Sequence, residues 1–137
     1  MTAKYLIIFG SIIILLLGTA HLYYTFFTSA FTPKNVNFVK DMKQATIPLA
    51  KGTNLWKAWI GFNGSHSAGA IFFGAINIYL VINFFSIYES AYFLHFLNLS
   101  LLFFFLFLAK KYWFSTPFNG ILVASICFII ASTMLLF

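Results

Sequence analysis

Three histidines carry most of the chemistry available to this chain, and two of them sit in polar company. His21 precedes Thr25 by four residues and His66 follows Asn63 by three, spacings that place each pair on one face of a helix. Both pairs lie inside long apolar runs, where an ionisable side chain is a functional candidate by default. His66 lies nine residues past Lys57 and His21 ten before Phe31, so each is about 13 to 15 Å from one membrane boundary at 1.5 Å per residue. That is close to the middle of a hydrocarbon core about 30 Å thick. On antiparallel helices the rings would face one another, making His21, Thr25, Asn63 and His66 a candidate ligand or cofactor pocket.

Three chemistries compete for that pocket. Two imidazoles can ligate the iron of haem b from opposite sides. Two histidines without a carboxylate or thiolate make an incomplete metal set, so no metal site is assigned. The polar head of a lipid or quinone-like molecule fits the same residue types. The ordinary reading needs no ligand: neutral imidazoles and an amide bond across helices, each bond contributing about 0.6 kcal/mol. The cofactor therefore stays open at this point.

A secondary polar cluster, Tyr92, His95 and Asn98, lies with Tyr88 along one side of a later apolar run. His95, fifteen residues before Lys110, is about 22 Å from the same boundary and is read as structural. No catalytic residue stands out, and whether the chain is an enzyme is left undecided. It has no nucleotide-binding glycine loop, no nucleophile elbow, no Arg to grip a phosphate, and only Asp41 and Glu89 as acids.

The elements that must position these residues follow from composition. With 62% hydrophobic and 7% charged residues in 137, the chain lies far outside the range of a soluble domain. Apolar spans fall at about 5–31, 54–83, 88–109 and 117–137, each at or above the roughly 20 residues a crossing helix requires. No run alternates as barrel strands must. The expected fold is all-α: a left-handed four-helix transmembrane bundle in one integral membrane domain, residues 1–137. Lys4, the run Tyr5–Leu17 and Gly18-Thr19-Ala20 imitate a signal peptide, but apolar character resumes through Leu22 to Phe27, so the segment is read as a retained span.

The net charge of +6 comes from eight lysines, and topology explains it better than nucleic acid does. Lys34, Lys40, Lys43, Lys51 and Lys57 lie in or beside loop 32–53, and Lys110 and Lys111 follow span three; the other side holds Lys4 and Glu89. The positive-inside rule makes the lysine-rich loops cytoplasmic and puts both termini outside. Within loop 32–53, Val36, Val39, Met42 and Thr46 recur at helical spacing, predicting a short cytoplasmic interfacial helix that Pro48 and Gly52 would end. Trp56 and Trp59 mark the headgroup level. Gly61, Gly64, Ser65 and Ala68 form a flat helix-packing side of span two. Cys127 is a lone packing residue. In span four, Ser115 or Thr116 caps the helix start and Pro117 occupies the first turn; Ser125, Ser132 and Thr133 bond locally or to a neighbour, with no functional role assigned.

The Gly18-x-x-His21 step with Thr25, the Trp59-x-Gly61-Phe62-Asn63-x-Ser65-His66 core with Gly69 and Gly74, and Tyr112-Trp113-Phe114 before Pro117 carry a resemblance over nearly the whole chain. They resemble a family of small, functionally uncharacterised bacterial four-span membrane proteins. The resemblance implies a multi-pass protein of the bacterial cytoplasmic membrane and implies no activity. The expected role is an accessory or interaction subunit that meets membrane lipid and packs against another membrane protein or a second copy of itself. The alternative is a haem-, lipid- or quinone-binding protein working at His21 and His66.

Overall fold

The computed structural model describes residues 2–48 and 50–136. Its main elements are helices α1 (Thr2–Phe27), α2 (Val36–Gln44), α3 (Leu55–Asn83), α4 (Phe85–Ser90), α5 (Tyr92–Tyr112) and α6 (Ser115–Leu136), with a small hairpin of β1 (Thr46–Ile47) and β2 (Ala50–Asn54). The fold is all-α, and α1, α3, α5 and α6 are long and apolar enough to cross a membrane. At most 39% of any of their apolar windows is buried within the protein. Side chains such as Phe62, Phe72, Phe93, Phe96 and Phe104 turn outward, an arrangement that lipid accommodates and water does not. The chain is a small multi-pass membrane protein.

Several boundaries differ from the sequence reading, for local reasons. α1 stops at Phe27, four residues before the expected Phe31, because the Thr28 hydroxyl donates to the Tyr24 carbonyl at 2.9 Å and accepts from the Ala30 amide at 3.1 Å. That side-chain turn closes the helix before Pro33 can act. The expected third span is broken at Ala91 (φ −86°, ψ 75°), which separates α4 from α5. The interfacial segment is helical as expected and is capped by Asn35, whose side chain accepts from the Asn37 and Phe38 amides. It ends at Gln44, ahead of Pro48, since the chain then enters the hairpin. The pairing of Thr46 with Asn54 and Ile47 with Ala50 forces a bulge in β2. Gly52 takes φ +88° there, a backbone state that a side chain would strain.

The chain forms two compact units. The first takes residues 2–17 of α1 and 70–83 of α3 together with α4, α5 and α6, and is itself a helical bundle of four long segments and the short α4. Ile121, Ala124, Phe128 and Ala131 give α6 a buried stripe at helical spacing. Gly74 sets the closest approach: a Cβ there would stand 2.6 Å from the Ser11 carbonyl oxygen and 2.8 Å from the Leu15 Cβ. The second unit, Gly18–Gly69, holds the end of α1, α2, the hairpin and the start of α3. Asn54 caps α3 by accepting from the Lys57 amide at 2.9 Å.

Candidate functional site

In the second unit His21 and His66 meet. Their ring centroids are 5.4 Å apart, edge to face at 77°. Asn63, 7% exposed, links the two helices: its Nδ2 donates to the Trp59 carbonyl at 2.8 Å and its Oδ1 lies 2.9 Å from His21 Nε2. With the carboxamide oriented that way, Oδ1 accepts, and His21 carries its proton on Nε2. Thr25 is buried but turns its hydroxyl to the His21 carbonyl at 2.8 Å, so it stiffens its own helix rather than facing a ligand. Ser67 does the same with the Asn63 carbonyl at 2.7 Å.

Phe31 completes this cluster, and sequence spacing had placed it at the end of a helix. Because α1 ends early, the chain turns back and lays the Phe31 ring on His21 with centroids 4.5 Å apart. Its carbonyl accepts from Trp59 Nε1 at 3.2 Å. The early end also makes His21 shallower: six residues from Phe27, it lies about 9 Å from the end of its helix. No signal in the sequence separates Thr28 as a helix stop from the other hydroxyls of the first span.

The cluster does not fit haem between the rings. Two imidazoles on opposite sides of one metal stand with centroids about 6 Å apart, two metal–nitrogen bonds of about 2 Å plus the ring radii. Here the separation is 5.4 Å, short of that span, and Asn63 already holds His21 Nε2. Among the described residues no three His, Cys, Asp or Glu side chains gather as a metal set. What the trio offers is hydrogen bonding at a half-buried polar spot.

The small-residue side of α3 divides. Gly64 packs on the Phe26 ring, 3.0 Å from where its Cβ would be. Gly61 and Gly69 meet nothing within 4 Å, and Ser65 and Ala68 are exposed. The close helix approach expected here occurs instead at Gly74, in the first unit.

The first unit carries the more completely bonded polar group. Asn77 Oδ1 accepts from the Tyr88 hydroxyl at 2.8 Å and from Asn98 Nδ2 at 2.7 Å, while Asn77 Nδ2 donates to the Phe73 carbonyl at 2.9 Å and to Asn98 Oδ1 at 3.2 Å. Beside it, His95 Nε2 lies 3.2 Å from the Tyr88 carbonyl and Nδ1 3.0 Å from Ser132 Oγ. A carbonyl only accepts, so His95 is protonated on Nε2 and the Ser132 hydroxyl donates to Nδ1. Tyr92 is 67% exposed and stands apart from the group. The break at Ala91 prevents a helical spacing from being carried from Tyr88 to Tyr92. Asn77 and Ser132 are the members that spacing within one span could not assign.

An open hollow of about 260 Å³, lined by Ala109, Lys110, Trp113, Phe114, Ser115 and Phe118, lies at the α5–α6 connection and not at the histidines. A scan against protein-family models and searches of curated proteins and of solved structures return no match to this chain.

Proposed function

We propose that this small integral membrane protein is a non-enzymatic accessory or interaction subunit. One observation carries the reading: Gly61 and Gly69 have nothing within 4 Å of a would-be Cβ, with Ser65 and Ala68 exposed between them. Apolar surface alone gives helices no drive to associate in lipid, and small side chains allow the close backbone contact that does. The His21–Asn63 bond then serves to hold the end of α1 and the start of α3 in the orientation that presents this strip. The occupant is another membrane protein or a second copy. Membership of the bacterial four-span family, residence in the cytoplasmic membrane and outward-facing termini belong to the same proposal, supported by the Trp59-to-His66 core and the lysine distribution.

Disulfide trapping in native membranes tests it. In a Cys127→Ser background, Gly61→Cys and Ala68→Cys should yield a discrete crosslinked species, and Ala68→Leu should remove it from the Gly61→Cys protein. A chain that stays uncrosslinked at both positions, and that migrates as a lone monomer on native gels of mildly solubilised membranes, would reject the reading.

A second reading rests on the half-buried His66 edge against His21: the trio receives the polar head of a lipid or quinone-like molecule. Organic extraction of the purified protein should then recover such a molecule from wild type and not from His66→Ala.

A further inference from the structure

We propose that the segment between α1 and α3 recognises anionic phospholipid headgroups through Lys34, Lys40, Lys43 and Lys51. The proposal rests on the reading of the chain as an integral membrane protein, and not on the docking role of α3. All four lysines are exposed, spread over the turn before α2, α2 itself and β2. Asp41 is the segment's one acid. On the α2 wheel it falls about 100° from Lys40, the nearer of that helix's two lysines, so it does not neutralise their edge.

The same short helix decides between lipid and an acidic protein surface. Met42 is buried and Val39 half-buried, which fixes the inward face of α2. Phe38 on one flank is 49% exposed, and Val36, on the lysine flank, is 80% exposed. An acidic protein surface answers the lysines and leaves these apolar side chains in water. A bilayer interface answers both, with phosphates at the ammonium level and glycerol or acyl carbons below it. The aromatic rim agrees: Tyr23, Tyr24, Phe27 and Trp59 are exposed at the adjoining helix ends, where interfacial aromatics belong. Lys43 Nζ stands 5.6 Å from the Trp56 ring centroid, which holds one ammonium at that rim.

The chemistry also defines what the surface does not distinguish. The helix N-terminus is already satisfied by Asn35, and the chain contains no Arg for bidentate phosphate geometry. Recognition therefore follows charge density and not headgroup shape. It should favour any anionic lipid over a zwitterionic one and weaken with salt.

The full chain in phosphatidylcholine vesicles, with spin-labelled phosphatidylglycerol or phosphatidylcholine as the probe, tests this. Wild type should immobilise the anionic probe severalfold more strongly, and 1 M NaCl should bring the two close to parity, because the screening length falls to about 3 Å. Each lysine near the surface contributes about fivefold, so K34Q/K40Q/K51Q should lose at least threefold of the selectivity. Inorganic phosphate should compete no better than chloride at equal ionic strength. Unchanged selectivity in the triple variant overturns the proposal, as does equal immobilisation of both probes by wild type, including a wild type that instead binds an acidic polypeptide. Protein removed from the vesicles by alkaline carbonate would refute membrane insertion itself, a result distinct from insertion without lipid preference.

Discussion

At Asn63 one carboxamide serves two neighbours, the Trp59 carbonyl through Nδ2 and His21 through Oδ1. A leucine there would fill the space and leave His21 Nε2 without its acceptor, while the Trp59 carbonyl keeps its helical bond within α3; an unsatisfied buried group costs about 1 to 3 kcal/mol. Asn63→Leu should therefore lower stability by that amount in denaturant titrations of the protein in mixed micelles. Nitrogen-15 spectra of the imidazoles provide a sharper check. Wild-type His21 should show the Nε2-protonated tautomer, and Asn63→Leu should release it to a mixture. A fixed Nδ1–H form in wild type would show that the amide is turned the other way. In the first unit the corresponding weights are unequal. Tyr88→Phe removes one donor to an Asn77 oxygen that still accepts from Asn98, and the 3.1 Å bond the hydroxyl accepts from an Asn98 Nδ2 that still donates to Asn77, so it should cost about 1 to 2 kcal/mol. Asn98→Leu deprives Asn77 of partners on both its oxygen and its nitrogen, and should cost up to about 3 kcal/mol by the same measurement.

Two glycines of α3 separate packing from presentation. At Gly74 a methyl group would meet the backbone of α1, with the Ser11 oxygen 2.6 Å away. Backbone atoms cannot rotate aside, so Gly74→Ala should destabilise the protein by about 1 to 3 kcal/mol. Gly61→Ala meets nothing within 4 Å, and should leave the unfolding midpoint unchanged or raise it, since alanine is the better helix former by up to about 1 kcal/mol. Equal losses at the two sites would mean that α3 does not pack as described. What was legible in the sequence follows this division. Helix existence was readable from long apolar runs, and α2 from the spacing of Val36, Val39 and Met42. The His21–Asn63–His66 grouping was readable because both histidines lie well inside consecutive apolar runs, although the depth counted for His21 from Phe31 was too great. The Phe31 lid was hidden because it depends on a hydroxyl turn at Thr28. The Asn77–Asn98 and His95–Ser132 pairs were hidden because periodicity within a helix says which side a residue is on, not which neighbour it meets.

Across the whole molecule the charge pattern and the four helices make a joint claim that neither makes alone. If all four apolar helices cross, both termini lie on one side, and the segment between α1 and α3 on the other together with the α5–α6 connection. Seven of the eight lysines fall on that second side, while Lys4 and Glu89 fall on the first. If orientation follows the lysines, the second side is cytoplasmic. With Cys127→Ser as background, a membrane-impermeant maleimide should label Ser86→Cys, beside Glu89 in the α3–α5 connection, in intact cells. It should label Lys51→Cys and Lys111→Cys only after the membrane is opened. Labelling of Lys51→Cys and Lys111→Cys in intact cells, with Ser86→Cys protected, would keep four crossings and invert the orientation, placing the proposed lipid-binding lysines at the outer leaflet. Lys51→Cys and Lys111→Cys labelled from opposite sides would be more damaging, because it requires an odd number of crossings between them and so removes α3 or α5 from the bilayer. The exposed phenylalanines of those two helices, Phe62 and Phe72 on one and Phe93, Phe96 and Phe104 on the other, make that outcome physically costly: withdrawing either helix from lipid would place several large aromatic side chains in water.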